Sequence, residues 1–148
     1  MLVPHGAIIL VADGGGMRLM RNAGSNVAPH LEVIDEHIFY NPATHADGSD
    51  RPGRAFESAG VARHAYAGSD THQRREDAWA EQAYALLRKH REAPAIVIAP
   101  PHILGSMRSC YSSDFRRRLI AEIDKDLAHH APPEVARLLS SHPDPGAG

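Results

Sequence analysis

Residues 7–22 read AIILVADGGGMRLMRN, and this stretch decides the fold. Ala7 to Ala12 is a short apolar run rich in isoleucine, leucine and valine, stopped by Asp13 and the glycines Gly14, Gly15 and Gly16. That pattern predicts a buried strand followed by a turn. Met17 to Asn22 then carries Met17 and Leu19 on one side, so the join through Asp13–Gly16 reads as a hairpin. Beyond NAGSNVAP, His30 to Phe39 supplies a third strand: Leu31 and Val33 alternate and, after a slip, Ile34, Ile38 and Phe39 continue the apolar pattern. Three strands in succession on short links predict an antiparallel meander.

Downstream the period changes. Between Asp70 and Arg91 the apolar positions Trp79, Ala83, Leu86 and Leu87, with Ala80 and Tyr84, recur at helical spacing. Asp70 or Thr71 is placed to cap this helix, with Glu76 and Asp77 near its positive end. Ala95–Ala99 (AIVIA) is the strongest buried-strand signal in the chain, and Pro100 and Pro101 end it because neither has an amide hydrogen for a ladder. Ile103–Arg108 reads as one or two helical turns, and a further helix begins at Asp114 with the basic face Arg116, Arg117 and Arg118. Leu119, Ala121, Ile123, Lys125 and Leu127 alternate as a strand would, while Leu119, Ile120, Ile123 and Leu127 also fit a helical stripe. The strand reading is adopted because it pairs beside Ala95–Ala99. Pro132 and Pro133 open a last short helix, Glu134–Leu139. The order β-β-β-α-β-α-β-α predicts an α/β fold: a mixed sheet with helices packed on it, in the order of the ribonuclease H-like architecture.

A chain of 148 residues, 43% hydrophobic and 23% charged, has material for one core, here residues 1–139. Residues 140–148, ending HPDPGAG, have little to bury and are expected to form a disordered tail. The net charge of -2 and pI near 6.6 exclude a broad electrostatic grip on nucleic acid and leave room only for a local patch. Cys110 is the single cysteine, so no intramolecular disulfide forms and a reducing compartment is indicated. The first residues lack a basic leader, and the apolar run ends at Asp13, far short of the ~20 residues that span a bilayer. These features predict a cytoplasmic protein with no membrane span.

Several segments together carry a resemblance: LVPHGAIILVADGGGMRLMRN at the start, DRPGRAFESAG at Asp50–Gly60, IVIAPPHILGSMR at Ile96–Arg108 and IAEIDKDL at Ile120–Leu127. In combination they resemble the bacterial host-attachment proteins, described as required for attachment to host cells. That family is similar in turn to the central domain of archaeal and eukaryotic peptide-release factors, which shares the fold class read above. Those release factors hydrolyse peptidyl-tRNA through a Gly-Gly-Gln tripeptide. Here Gly15 and Gly16 are followed by Met17, and no glutamine follows a Gly-Gly pair. The resemblance therefore implies ribosome or RNA contact without the release reaction.

The segment Asn41–Arg75 is long for a connection in a compact domain, a length that goes with binding or with disorder. Its cations suit an anion. Arg51 and Arg54 flank Pro52–Gly53, a turn able to aim two guanidiniums at one phosphate, and Arg63, His64, Arg74 and Arg75 extend the set. Pairing of the arginines with Asp47, Asp50 or Glu57 is the structural alternative. The leading expectation is a non-catalytic module binding RNA, the ribosome or another anionic partner, with no cofactor or metal. The first rival is a metal-dependent nuclease using Asp13, Glu76 and Asp77, although Ala95–Ala99 lacks the acid that two-metal chemistry would require there. The second is a protein-interaction module affecting attachment indirectly. Ser58, His64 and Asp70 line up as a triad only on paper, and the histidines show no closed zinc spacing. Free strand edges would allow two copies to pair.

Overall fold

A computed structural model describes residues 1–38, 74, 75 and 77–145. Strands β1 (Ile8–Asp13), β2 (Gly16–Asn22), β3 (Leu31–Ile38), β4 (Ala95–Ala99) and β5 (Leu119–Asp124) form one sheet in the order β3-β2-β1-β4-β5. Neighbours β1–β2 and β2–β3 are antiparallel, whereas β1–β4 and β4–β5 are parallel. The sheet is mixed, and the expected meander forms its antiparallel half.

Helix α1 covers residues 77–88, with Arg74 and Arg75 also helical. It is followed by α2 (Pro101–Arg108), α3 (Ser113–Arg118) and α4 (Pro132–Ser141). Alternation along the strands splits the core in two. Ile8, Leu10, Ala12, Met17, Leu19, Val97 and Ala99 face Trp79, Ala83, Tyr84 and Leu87 of α1, Ile103, Leu104 and Met107 of α2, and Phe115 of α3. Ile9, Val11, Met20, Ile96, Ile98 and Ile123 face Val135, Ala136 and Leu139 of α4. The sheet is thus covered on both sides, which is why β1 and β4 are continuous apolar runs. Fully burying Val135 and Leu139 contributes roughly 1.5–3 kcal/mol each to holding α4 in place.

The β1–β2 turn is fastened by Asp13 more than by glycine freedom. Asp13 Oδ1 accepts from the amides of Gly15 (2.7 Å) and Gly16 (3.0 Å), a side-chain turn of the kind aspartate favours. Among the described residues only Gly6 has a positive φ, 84°. Gly16 is required for space: a Cβ there would lie 2.7 Å from the carbonyl oxygen of His37 on β3.

The slip read in the third strand is a bulge. Leu19 pairs with Asp35 and Met20 with Val33, leaving Ile34 as the extra residue. Only Leu31 of this strand enters the core, while Val33, Ile34 and Ile38 stay exposed. The ambiguous segment at Leu119 is a strand beside β4, as expected, with Ile120 extra at a second bulge. Two helices, α2 and α3, stand between β4 and β5 where the eight-element order counted one. Pro101 begins α2 and Ser112 caps α3, its hydroxyl accepting from the Phe115 amide at 3.1 Å. The last helix runs to Ser141, beyond the expected Leu139.

Candidate functional site

The parallel strands β1, β4 and β5 end at one edge of the sheet. From β1 the chain turns towards β2 and from β4 it crosses towards β5, so the connections diverge on either side of the β1–β4 pair. Ligands of open α/β sheets favour such a divergence. The carboxyl end of α1 is tied to the opposite edge: Arg118, just before β5, donates to Leu87 O at 3.0 Å and to Ala93 O at 2.8 Å.

Arg74 and Arg75 are exposed. Arg51, Arg54, Arg63 and His64 lie outside the described residues, as do Glu76 and the Ser58 and Asp70 of the paper triad. Asp77 is exposed and engaged with a neighbour. Asp13, the first acid of the nuclease alternative, has both oxygens occupied: Oδ1 by the two turn amides and Oδ2 by His129 Nε2 at 3.3 Å. His129 is 88% exposed, so that pairing adds little. Among the described residues no group of three or more His, Cys, Asp or Glu is placed to hold a metal ion. The turn-capping role alone accounts for Asp13. Pro100 and Pro101 likewise turn the chain directly from β4 into α2.

Arg18 on β2 reaches under the loop after β5, where Nη2 donates to the carbonyls of His130 and, at 3.4 Å, Leu127. Its Nε is buried without a partner. Sequence reading gave Arg18 no role, although alternation places it on the face of Met20 and Asn22, where a cation needs acceptors.

The trio Arg116–Arg118, read as one solvated face, divides into separate structural tasks. Arg116 donates to Arg108 O at 3.0 Å and sits over the Tyr111 ring, with 5.5 Å to the centroid. Arg117 pairs with Asp114. Arg118 lies over Phe115 at 4.8 Å, and burial lowers its pKa. Tyr111, also buried, donates to Glu122 at 3.1 Å; burial first, then the nearby carboxylate, pushes its pKa upward. Burial likewise raises the pKa of the half-buried Cys110 thiol, which keeps it protonated and poorly reactive.

Residues 6–139 match the family model described as bacterial archaeo-eukaryotic release factor family 12. No curated protein matches the chain.

Proposed function

We propose that this chain, which belongs to bacterial archaeo-eukaryotic release factor family 12, is a non-catalytic binding module whose partner is anionic, either RNA or the ribosome. The family match over residues 6–139 carries this reading, because the proteins that give the family its name work on the ribosome. The cations of Asn41–Arg75 supply the contact. Arg74 and Arg75 support it from the described part of the chain. Both are helical and exposed.

On this reading one domain, residues 1–139, acts in the cytoplasm, and any effect on attachment to host cells is indirect. No helix among the described residues is long and apolar enough to cross a membrane. The test is sedimentation of the full chain with purified ribosomes, together with filter binding of labelled RNA. Arg51→Ala with Arg54→Ala should abolish retention in low salt, and unchanged retention would refute the assignment. Metal-dependent cleavage of the RNA, lost in Asp13→Ala, would replace it with the nuclease reading.

A further inference from the structure

At the opposite edge of the sheet from Asp13, the carboxyl end of α1 and the start of α3 line an open cavity of about 510 Å³. Its lining cations are Arg88, Arg91 and Arg118, and its one lining carboxylate is Asp114, which already pairs with Arg117; Glu81 and Asp77 act from outside it on the Cys110 thiol in its wall. Arg88 and Arg91 are exposed. Arg88 rests 5.9 Å from the centroid of Tyr84, and among the described residues neither arginine has a carboxylate partner. Arg118 is drawn inward. Its hydrogen bonds go to the neutral carbonyls Leu87 O and Ala93 O, so its donors are satisfied while its charge is not. A partly buried guanidinium without a counter-charge projects its field into the adjacent space.

The carbonyl end of a helix ordinarily repels an anion. Here Arg118 covers Leu87 O and Ala93 O, which reverses the local sign. The positive region continues beyond the cavity. His90 has its pKa lowered by burial and by Arg21, Arg118 and Lys89, opposed only by Asp35. Arg21 belongs to β2, Arg118 to α3 and Lys89 follows α1, so three parts of the chain bring cations to this corner, while β3 brings the acid Asp35.

From this convergence we infer that the cavity at the carboxyl end of α1 is a phosphate-binding site, with Arg88 and Arg91 as the contacting cations and Arg118 as the fixed charge behind them. The aromatic rings at this site, Tyr84 and Phe115, are almost fully buried and packed edge to face at 5.3 Å. They offer no platform for a base. The phosphate group itself is recognised, without regard to nucleotide sequence. The inference does not depend on what the Asn41–Arg75 segment binds.

Three probes separate the sources of the phosphate: inorganic phosphate, uridine monophosphate and a single-stranded uridine decamer, each titrated calorimetrically into the full chain at low salt. At least one should bind, and Arg88→Gln with Arg91→Gln should weaken it tenfold or more. Binding of all three marks a site for any phosphate, and binding of the decamer alone marks a polyphosphate backbone site. For the decamer the logarithmic salt slope should also fall by about 0.7 for each phosphate that the variant no longer neutralises. Arg137→Gln, exposed on α4 against the other face of the sheet, should leave inorganic phosphate binding unchanged. The altered arginines are all exposed, so the variants fold. Absence of binding by every probe, or equal binding by the Arg88/Arg91 variant, overturns the assignment.

Discussion

Asn22→Ala should be among the most damaging polar substitutions in this domain. The Asn22 side chain is fully buried and uses every hydrogen-bonding position it has. Nδ2 donates to Val3 O at 2.9 Å, Pro4 O at 3.2 Å and Ser25 O at 3.2 Å, while Oδ1 accepts from Gly24 N at 2.8 Å and His30 N at 2.9 Å. One amide thus ties the segment before β1 to the loop between β2 and β3. Removing it leaves Val3 O buried without a donor, a loss of about 1–3 kcal/mol, and the four half-buried hydrogen bonds add roughly 0.5–1 kcal/mol each. Water entering the vacated space will recover part of this, giving an expected loss of about 3 kcal/mol. For a chain of this size that corresponds to a fall in Tm of roughly 6–12 °C. Urea unfolding of the two proteins, extrapolated at a common slope, measures it. Asn22→Asp should be no better, since its carboxylate would face three carbonyls with nothing to donate. Asn26→Ala provides the contrast: its Oδ1 accepts only from the exposed His5 amide, and about 0.5 kcal/mol is expected. An Asn22→Ala loss below about 1 kcal/mol would show that the network does not hold the two segments together.

Asp13→Asn, which keeps an acceptor for Gly15 and Gly16, should cost under about 0.5 kcal/mol, and Asp13→Ala about 1–2 kcal/mol in the same unfolding assay. Equal losses would mean that charge matters more than turn geometry. Arg118→Met should destabilise by about 2–3 kcal/mol, because Leu87 O and Ala93 O both lose their donor at the junction of α1 and α3; circular dichroism melting gives the comparison. His90 should make stability pH-dependent. Its folded pKa lies below the ordinary 6.5, so the unfolded chain takes up the proton first and stability falls as pH drops through and below that value. Urea midpoints at pH 8 and pH 5.5 should therefore differ more in the parent protein than in His90→Gln, and an unchanged difference would remove His90 from the account.

The strands of the core were legible because their burial is two-sided or strictly alternating. AIILVA and AIVIA announce themselves, and the ambiguity at Leu119 was resolved by the need for a partner beside β4. The slip between Val33 and Ile34 was visible as a break in alternation, although its cause, an extra residue opposite Leu19 and Met20, is a property of the pair. What escaped were polar residues whose partners are remote in sequence. Asn22 looked like the end of a strand, Arg18 had no role and Arg118 was one of three residues on a basic helix face. Each is instead fixed by carbonyls that only tertiary structure delivers, and carbonyls leave no mark in a side-chain pattern. The Arg51–His64 cations, readable by composition, fall outside the described residues.

The central position of β1 governs how this molecule can be made. Its antiparallel neighbour follows at once, but its parallel neighbour begins only at Ala95. A ribosome producing roughly 5–20 residues per second would finish the first hairpin some seconds before the other flank of β1 could be closed. In that interval Ile8, Leu10 and their neighbours present an unpaired apolar edge to chaperones or to other nascent chains. Variants that delay arrival of the AIVIA strand should therefore lower soluble yield in the cell more than they lower the melting temperature of the purified protein.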